Sequence, residues 1–117
     1  MGRLANRPFM EDLSPSAFEH QTLRRPGRVA VVFSADWCPF CREFLPRFAS
    51  LEGDPRYQVA RVDLTDLENP LWEEFEIEIV PTVVAFREGE VVFRVDGVGG
   101  VGLSARDVDR ARAVLTS

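Results

Sequence analysis

The sequence predicts a three-layer α/β/α domain, with a mixed central sheet, helices on both of its faces and an antiparallel hairpin near its end. Three observations predict it. Residues 29–33, VAVVF, form a continuous apolar run rich in β-branched side chains, the pattern of a central strand covered on both faces. Strand-like runs then alternate with helix-like stretches, which is how a sheet acquires crossover helices. Last, TVVAFR and VVFRV are separated by a tight turn around EGE, a connection short enough to permit only an antiparallel hairpin.

Residues 1–12 are expected to be a loose N-terminus or a short edge strand. In DLSPSAFEHQTL, Ser14 has the chemistry of a helix cap, and Pro15 falls at the first helical position, where its missing N–H costs nothing. A short helix to about Leu23 is predicted, ended by RRPGR. From Cys38 onward, Cys41, Phe44, Leu45 and Phe48 fall at i, i+3, i+4 and i+7, one buried stripe of a helix. Pro46 should kink that helix, because its ring removes a hydrogen bond and crowds the preceding turn. EGDPR closes it, and YQVARVD reads as the next strand. Asn69 and Pro70 supply the cap and first position of a short helix, PLWEEFE. After the hairpin, the glycine-rich DGVGGVG leads to a last helix from about Ser104, whose spacing to Asp107 resembles a capping box.

A chain of 117 residues is expected to fold as one domain, 1–117, long enough to build its own core. With 45% hydrophobic and 28% charged residues, it has the composition of an ordinary soluble globular protein. The net charge of −5 argues against nucleic acid as a partner. All 14 basic residues are arginines, which removes lysine chemistry such as a Schiff base. No signal-peptide pattern opens the chain, and no apolar run approaches the roughly 20 residues that span a bilayer. A cytoplasmic protein with no membrane partner is therefore expected.

The only two cysteines lie in DWCPFC, and such a pair is a disulfide staple, half of a metal site or a redox centre. A reducing cytosol disfavours the staple. Zinc needs about four ligands, and only His20 and scattered carboxylates are available beyond the two sulfurs, so no metal is expected. Arg42 follows Cys41 where covalent haem attachment requires histidine.

The redox reading has a physical basis. With Cys38 in the cap position, Pro39 falls at the first helical position and Cys41 at the third. A cap side chain accepts from the N–H groups of the second and third helical residues, here Phe40 and Cys41. A negatively charged sulfur accepts them better, and the helix dipole favours that charge. Because the thiolate is the nucleophile, the cap position makes Cys38 the reactive cysteine. Cys41 belongs to the buried stripe. Exposed Cys38 is thus expected to attack a substrate disulfide, and sheltered Cys41 to resolve the mixed disulfide.

FSADWCPFCREFLPRF resembles the active-site segment of thioredoxins, including Trp37 before the first cysteine and Pro46 five residues after the second. EIVPTVVAFREGEVV resembles the family's second signature, a cis-proline loop leading into the terminal hairpin. The resemblance runs over residues 13–115 in the same element order. It implies a thioredoxin-like fold, a protein disulfide oxidoreductase and Pro81 as the cis residue. Three positions depart from the family. Pro39 and Phe40 replace the Gly-Pro of typical thioredoxins and are closer to the Pro-Tyr of glutaredoxins; Val32 stands where thioredoxins place a buried acid that moves protons for the second thiol; Arg61 stands where the family often has a lysine paired with that acid. Proton transfer at Cys41 must then rely on water or another carboxylate. The Pro-Phe pair is expected to move the redox potential to the oxidising side of a typical thioredoxin.

In this reading Pro39 pre-forms the helix start, Trp37 and Phe40 shape the exposed surface, and Val80 and Pro81 flank the cysteines. The Val80 backbone is expected to pair with an extended substrate segment. Protein disulfides are the expected substrates, thioredoxin reductase or glutathione the electron donor, the chain a monomer, and no bound cofactor is required. Two alternatives stay open: a glutathione-dependent, glutaredoxin-like reductase, and a binding or redox-sensing module without catalysis. Trp72 reads as a packing anchor, WEEFEIE as a solvated acidic face, and His20 carries no assigned role. Residues 97–102 lack the Gly-Lys-Ser/Thr ending of a phosphate loop; a tight turn or an open backbone beside the active site is expected there.

Overall fold

The computed structural model describes residues 10–117; the part of the expected loose N-terminus in residues 1–9 lies outside them. Five strands form one sheet: β1 (Glu11–Asp12), β4 (Arg28–Ser34), β5 (Gln58–Asp63), β6 (Thr82–Arg87) and β7 (Glu90–Asp96), in the order β1-β5-β4-β6-β7. The run read as a central strand is central: β4 lies between β5, which it pairs in parallel, and β6, which it pairs antiparallel. β6 and β7 form the expected hairpin, turning at Glu88 and Gly89 with φ values of 50° and 87°. Both central residues at positive φ give the turn the twist that suits a two-residue hairpin loop.

Alternation along β4 assigns its side chains to two separate layers. Val29, Val31 and Phe33 pack with Phe18, Phe75 and Phe86 on one face. Ala30 and Val32 pack on the other against Phe44 and Phe48 of α1 (Pro39–Phe48) and Val108, Ala111 and Leu115 of α3 (Ala105–Leu115). The short α2 (Leu71–Glu74) contributes Leu71 to the first face. Helix α1 continues two residues past Pro46 and then tightens into a 3-10 turn over Ala49–Leu51. Of its predicted stripe, Cys41, Phe44 and Phe48 are buried and Leu45 is half-buried.

The first predicted helix is corrected. Pro15–Ala17 makes a single 3-10 turn, and the chain then forms a small hairpin of β2 (Phe18–Glu19) and β3 (Thr22–Leu23). His20 and Gln21 both adopt positive φ, 51° and 65°, so the helical path is broken there and the chain reverses. The Ser-Pro start signal does nucleate a turn. What overrides its extension is burial: the hairpin directs Phe18 and Leu23, 4% and 2% exposed, into the same aromatic layer. Phe18 meets Phe75 edge-on at 5.2 Å and lies 6.3 Å from Phe33.

At α3 the capping box is present, with the Ser104 N–H donating to Asp107 Oδ2 at 2.9 Å. Replacing Asp107 with Ala is expected to lower stability by about 1 kcal/mol, read as a lower denaturant midpoint with unchanged slope.

Candidate active site

Strand β4 delivers the chain into the loop 35–38 at the C-terminal end of this central strand, and α1 begins there. Cys38 is the N-cap residue and Pro39 the first helical residue, as the spacing predicts. The Cys41 N–H donates to Cys38 Sγ at 3.1 Å. The second predicted donor, the Phe40 N–H, makes no such bond among the described residues. Cys38 is not the exposed thiol expected of it: only 5% of its surface is open, against 0% for Cys41. The loop carrying Val80 accounts for the difference, since the Cys38 thiol donates to the Val80 carbonyl oxygen at 3.5 Å and is covered by it. The asymmetry of the pair survives in a smaller form, because Cys38 borders the surface groove and Cys41 does not.

Both cysteines are free thiols. Burial pushes the Cys41 thiol up to about 12, and its hydrogen bond to Cys38 and a negative charge on that sulfur act in the same direction; the Ala35 backbone and the Arg42 guanidinium oppose them. Cys41 thus holds its proton against Cys38 and gives it up with difficulty.

The groove has a volume of about 270 Å3. One wall is the start of α1, with Trp37, Cys38, Pro39 and Phe40. Ile79 and Val80 form the facing wall, just before Pro81, whose peptide bond with Val80 is cis. Pro81 itself is buried behind Val80. A third side comes from Val98, Gly99 and Gly100, so the glycine loop is both a turn and an open backbone beside the cysteines. Two other glycines there are required by close approach. A Cβ on Gly97 would lie 2.7 Å from the Pro81 carbonyl oxygen, and one on Gly102, at φ 79°, would lie 3.0 Å from Phe40 Cβ.

Trp37 is 51% exposed and donates its indole N–H to the Thr65 carbonyl at 3.0 Å. Trp72, read from the sequence as a packing anchor, lines the same groove: its ring lies 4° from parallel with Trp37 at 6.3 Å, and its N–H donates to the Asp66 carbonyl at 3.3 Å. Glu78 also reaches the groove from the run read as a solvated face. Its closeness in sequence to the Val80–Pro81 loop was the available signal for this. Nothing in a four-residue helix signals the partner of Trp72. Val32 is fully buried among apolar side chains, and its strand partner Arg61 pairs instead with Asp12 at 2.7 Å. The described residues bring no three His, Cys, Asp or Glu side chains together as a metal site.

A cysteine pair opening the first long helix of this mixed-sheet fold, opposite a cis-proline loop, places the chain in the thioredoxin class. Comparison with known proteins agrees. The thioredoxin family model matches residues 9–104, and the chain belongs to that family. It is 32% identical to a thioredoxin of Chlamydia pneumoniae over 62% of this chain and 71% of that one. With the mitochondrial thioredoxin of Mus musculus it shares 31% identity over 84% of this chain and 55% of that protein, so it spans about half the length of that relative. The crystal structure of a thioredoxin from Malassezia sympodialis shares the fold at a TM-score of 0.71, with 23% identity over 99% of this chain and 98% of that one.

Proposed function

We propose that the chain exchanges disulfides with protein substrates through the Cys38–Cys41 pair, with Cys38 as nucleophile and Cys41 as resolving thiol. The observation that carries this is the placement of Cys38: its sulfur caps α1, takes the Cys41 N–H at 3.1 Å and borders the groove, while Cys41 is fully buried. Cys38 thiolate attacks one sulfur of a substrate disulfide and expels the other as a thiolate. Cys41 then loses its proton and attacks Cys38 Sγ, releasing the second substrate thiol and leaving a Cys38–Cys41 disulfide. Once Cys38 is covalently engaged it carries no charge and no longer holds the Cys41 proton, so two of the causes that raise Cys41 disappear and burial alone remains. Buried Val32 offers no proton acceptor, so the proton passes to water or to the departing sulfur.

Trp37, Phe40 and Val80 supply an apolar seat for the substrate segment, and the Val80 backbone is a pairing edge for it. The groove disfavours the glutathione reading. Glutathione carries two carboxylates, whereas the groove lining holds one carboxylate, Glu78, and no guanidinium. The test is a reduced protein mixed with a disulfide-bonded protein substrate: substrate thiols should appear as the Cys38–Cys41 disulfide forms, with recycling by a thioredoxin reductase. Recycling by glutathione alone would move the protein to the glutaredoxin side. A Cys38 thiol no more reactive than a free cysteine would leave only a binding or sensing role.

The direction of electron flow follows from the potential of the pair. With Pro39–Phe40 between the cysteines, equilibration against glutathione is expected to place it above the roughly −270 mV of thioredoxin. A value at or below that figure would contradict the expectation.

A further inference from the structure

The groove beside Cys38 has a charge bias that thiol chemistry does not require. Glu78 is the one charged side chain in its lining. Among the described residues this exposed carboxylate forms no ion pair. Two indoles line the same groove, stacked 4° from parallel. Their N–H groups are already spent on the Thr65 and Asp66 carbonyls, which leaves ring face for a ligand, and Trp37 is half exposed. An indole face attracts cations, and a carboxylate beside it completes a site for a planar, forked donor. Arginine fits both parts better than lysine, whose ammonium is a strongly hydrated point charge.

We propose that this groove selects substrate disulfides that carry an arginine two residues before or after the attacked cysteine, its guanidinium resting on the Trp37–Trp72 platform and paired with Glu78. The proposal deepens the disulfide-exchange reading and rests on it. Two residues of extended chain cover about 7 Å, and a side chain at that offset lies on the same side of the strand as the cysteine. Trp37 and Glu78 are then read together with Cys38 by a single docked segment.

The experiment uses the reduced protein and synthetic heptapeptides whose one cysteine is held in a mixed disulfide with thionitrobenzoate. Cys38 attacks the peptide sulfur and expels thionitrobenzoate; Cys41 then displaces the peptide thiol, so two protein thiols are oxidised for each disulfide reduced. The peptides differ only in having Arg, Ala or Glu two residues before or two residues after the cysteine. At low salt the better-placed arginine peptide is expected to react about tenfold faster than the alanine peptide, and the glutamate peptide more slowly than alanine. With each protein normalised to its own rate on the alanine peptide, Glu78→Gln should shrink the arginine preference several-fold, as should about 1 M salt. An arginine-to-alanine ratio within about twofold of one at both positions, or a ratio that Glu78→Gln leaves unchanged, overturns the selectivity while leaving disulfide exchange standing. No thionitrobenzoate release from the alanine peptide overturns both.

Discussion

Replacing Cys41 with Ser is expected to turn disulfide exchange into a covalent trap. The variant keeps the groove and the capping sulfur of Cys38, so the first attack proceeds and the mixed disulfide forms. The second attack has no sulfur to perform it. The only remaining routes are reversal by the expelled thiol or attack by an external one, and the complex should persist on a non-reducing gel and map by mass to Cys38. Cys38→Ser removes the sulfur that borders the groove and should lower the exchange rate by at least about a thousandfold, because Cys41 is 0% exposed and its burial, the largest cause that keeps the thiol protonated, persists in the variant. The two variants separate the roles, since a structural pair would respond equally to either change. Substrate captured on Cys41 in the Cys38→Ser variant would reverse the assignment.

The parts of this site that could be read in the sequence are those set by local backbone chemistry. A proline directly after a cysteine, opening an apolar stripe at helical spacing, fixes a helix start whatever surrounds it, and Cys38 is the cap. The same local rule misled at Ser14 and Pro15, where a start signal with no buried stripe behind it gives one turn and then a hairpin. The residues that reverse the chain, His20 and Gln21, belong to neither glycine nor the Asn-Gly type of hairpin signal, so only the tertiary demand for Phe18 and Leu23 on one face reveals it. Groove composition was legible where it is contiguous with a motif, as for Trp37, Phe40 and Val80. It was hidden where a separate element contributes: Trp72 comes from α2 and is placed by stacking across the fold, and Arg61 finds Asp12 on an edge strand. The burial of Cys38 is not legible in the sequence, because capping fixes where the sulfur points and not what the Val80 loop lays over it.

In the reduced protein, Cys41 should alkylate about a thousandfold more slowly than a free cysteine at neutral pH. The thiol ionises near 12 rather than at its ordinary 9.0, so each pH unit of that shift costs tenfold in thiolate, before restricted access is counted. Its rate should climb about tenfold per pH unit through the alkaline range and level off only near 12. The same shift acts on stability, and its sign is fixed by which state loses the proton first. Between 9.0 and about 12 the unfolded chain has released the Cys41 proton and the folded chain has not, so the unfolded state binds fewer protons and stability falls as pH rises. The full stability is present below pH 9, and the loss at pH 10 is of the order of 1 kcal/mol. Other groups titrate in this range, so the useful quantity is the difference between wild type and Cys41→Ala, both reduced, from denaturant midpoints at pH 7 and pH 10. Wild type should lose its advantage over the variant as the pH is raised, and the disulfide form, which has no thiol to ionise, should not follow. A gap that holds constant from pH 7 to pH 10 would mean that Cys41 ionises as readily folded as unfolded, and the resolving thiol would then need no release by Cys38.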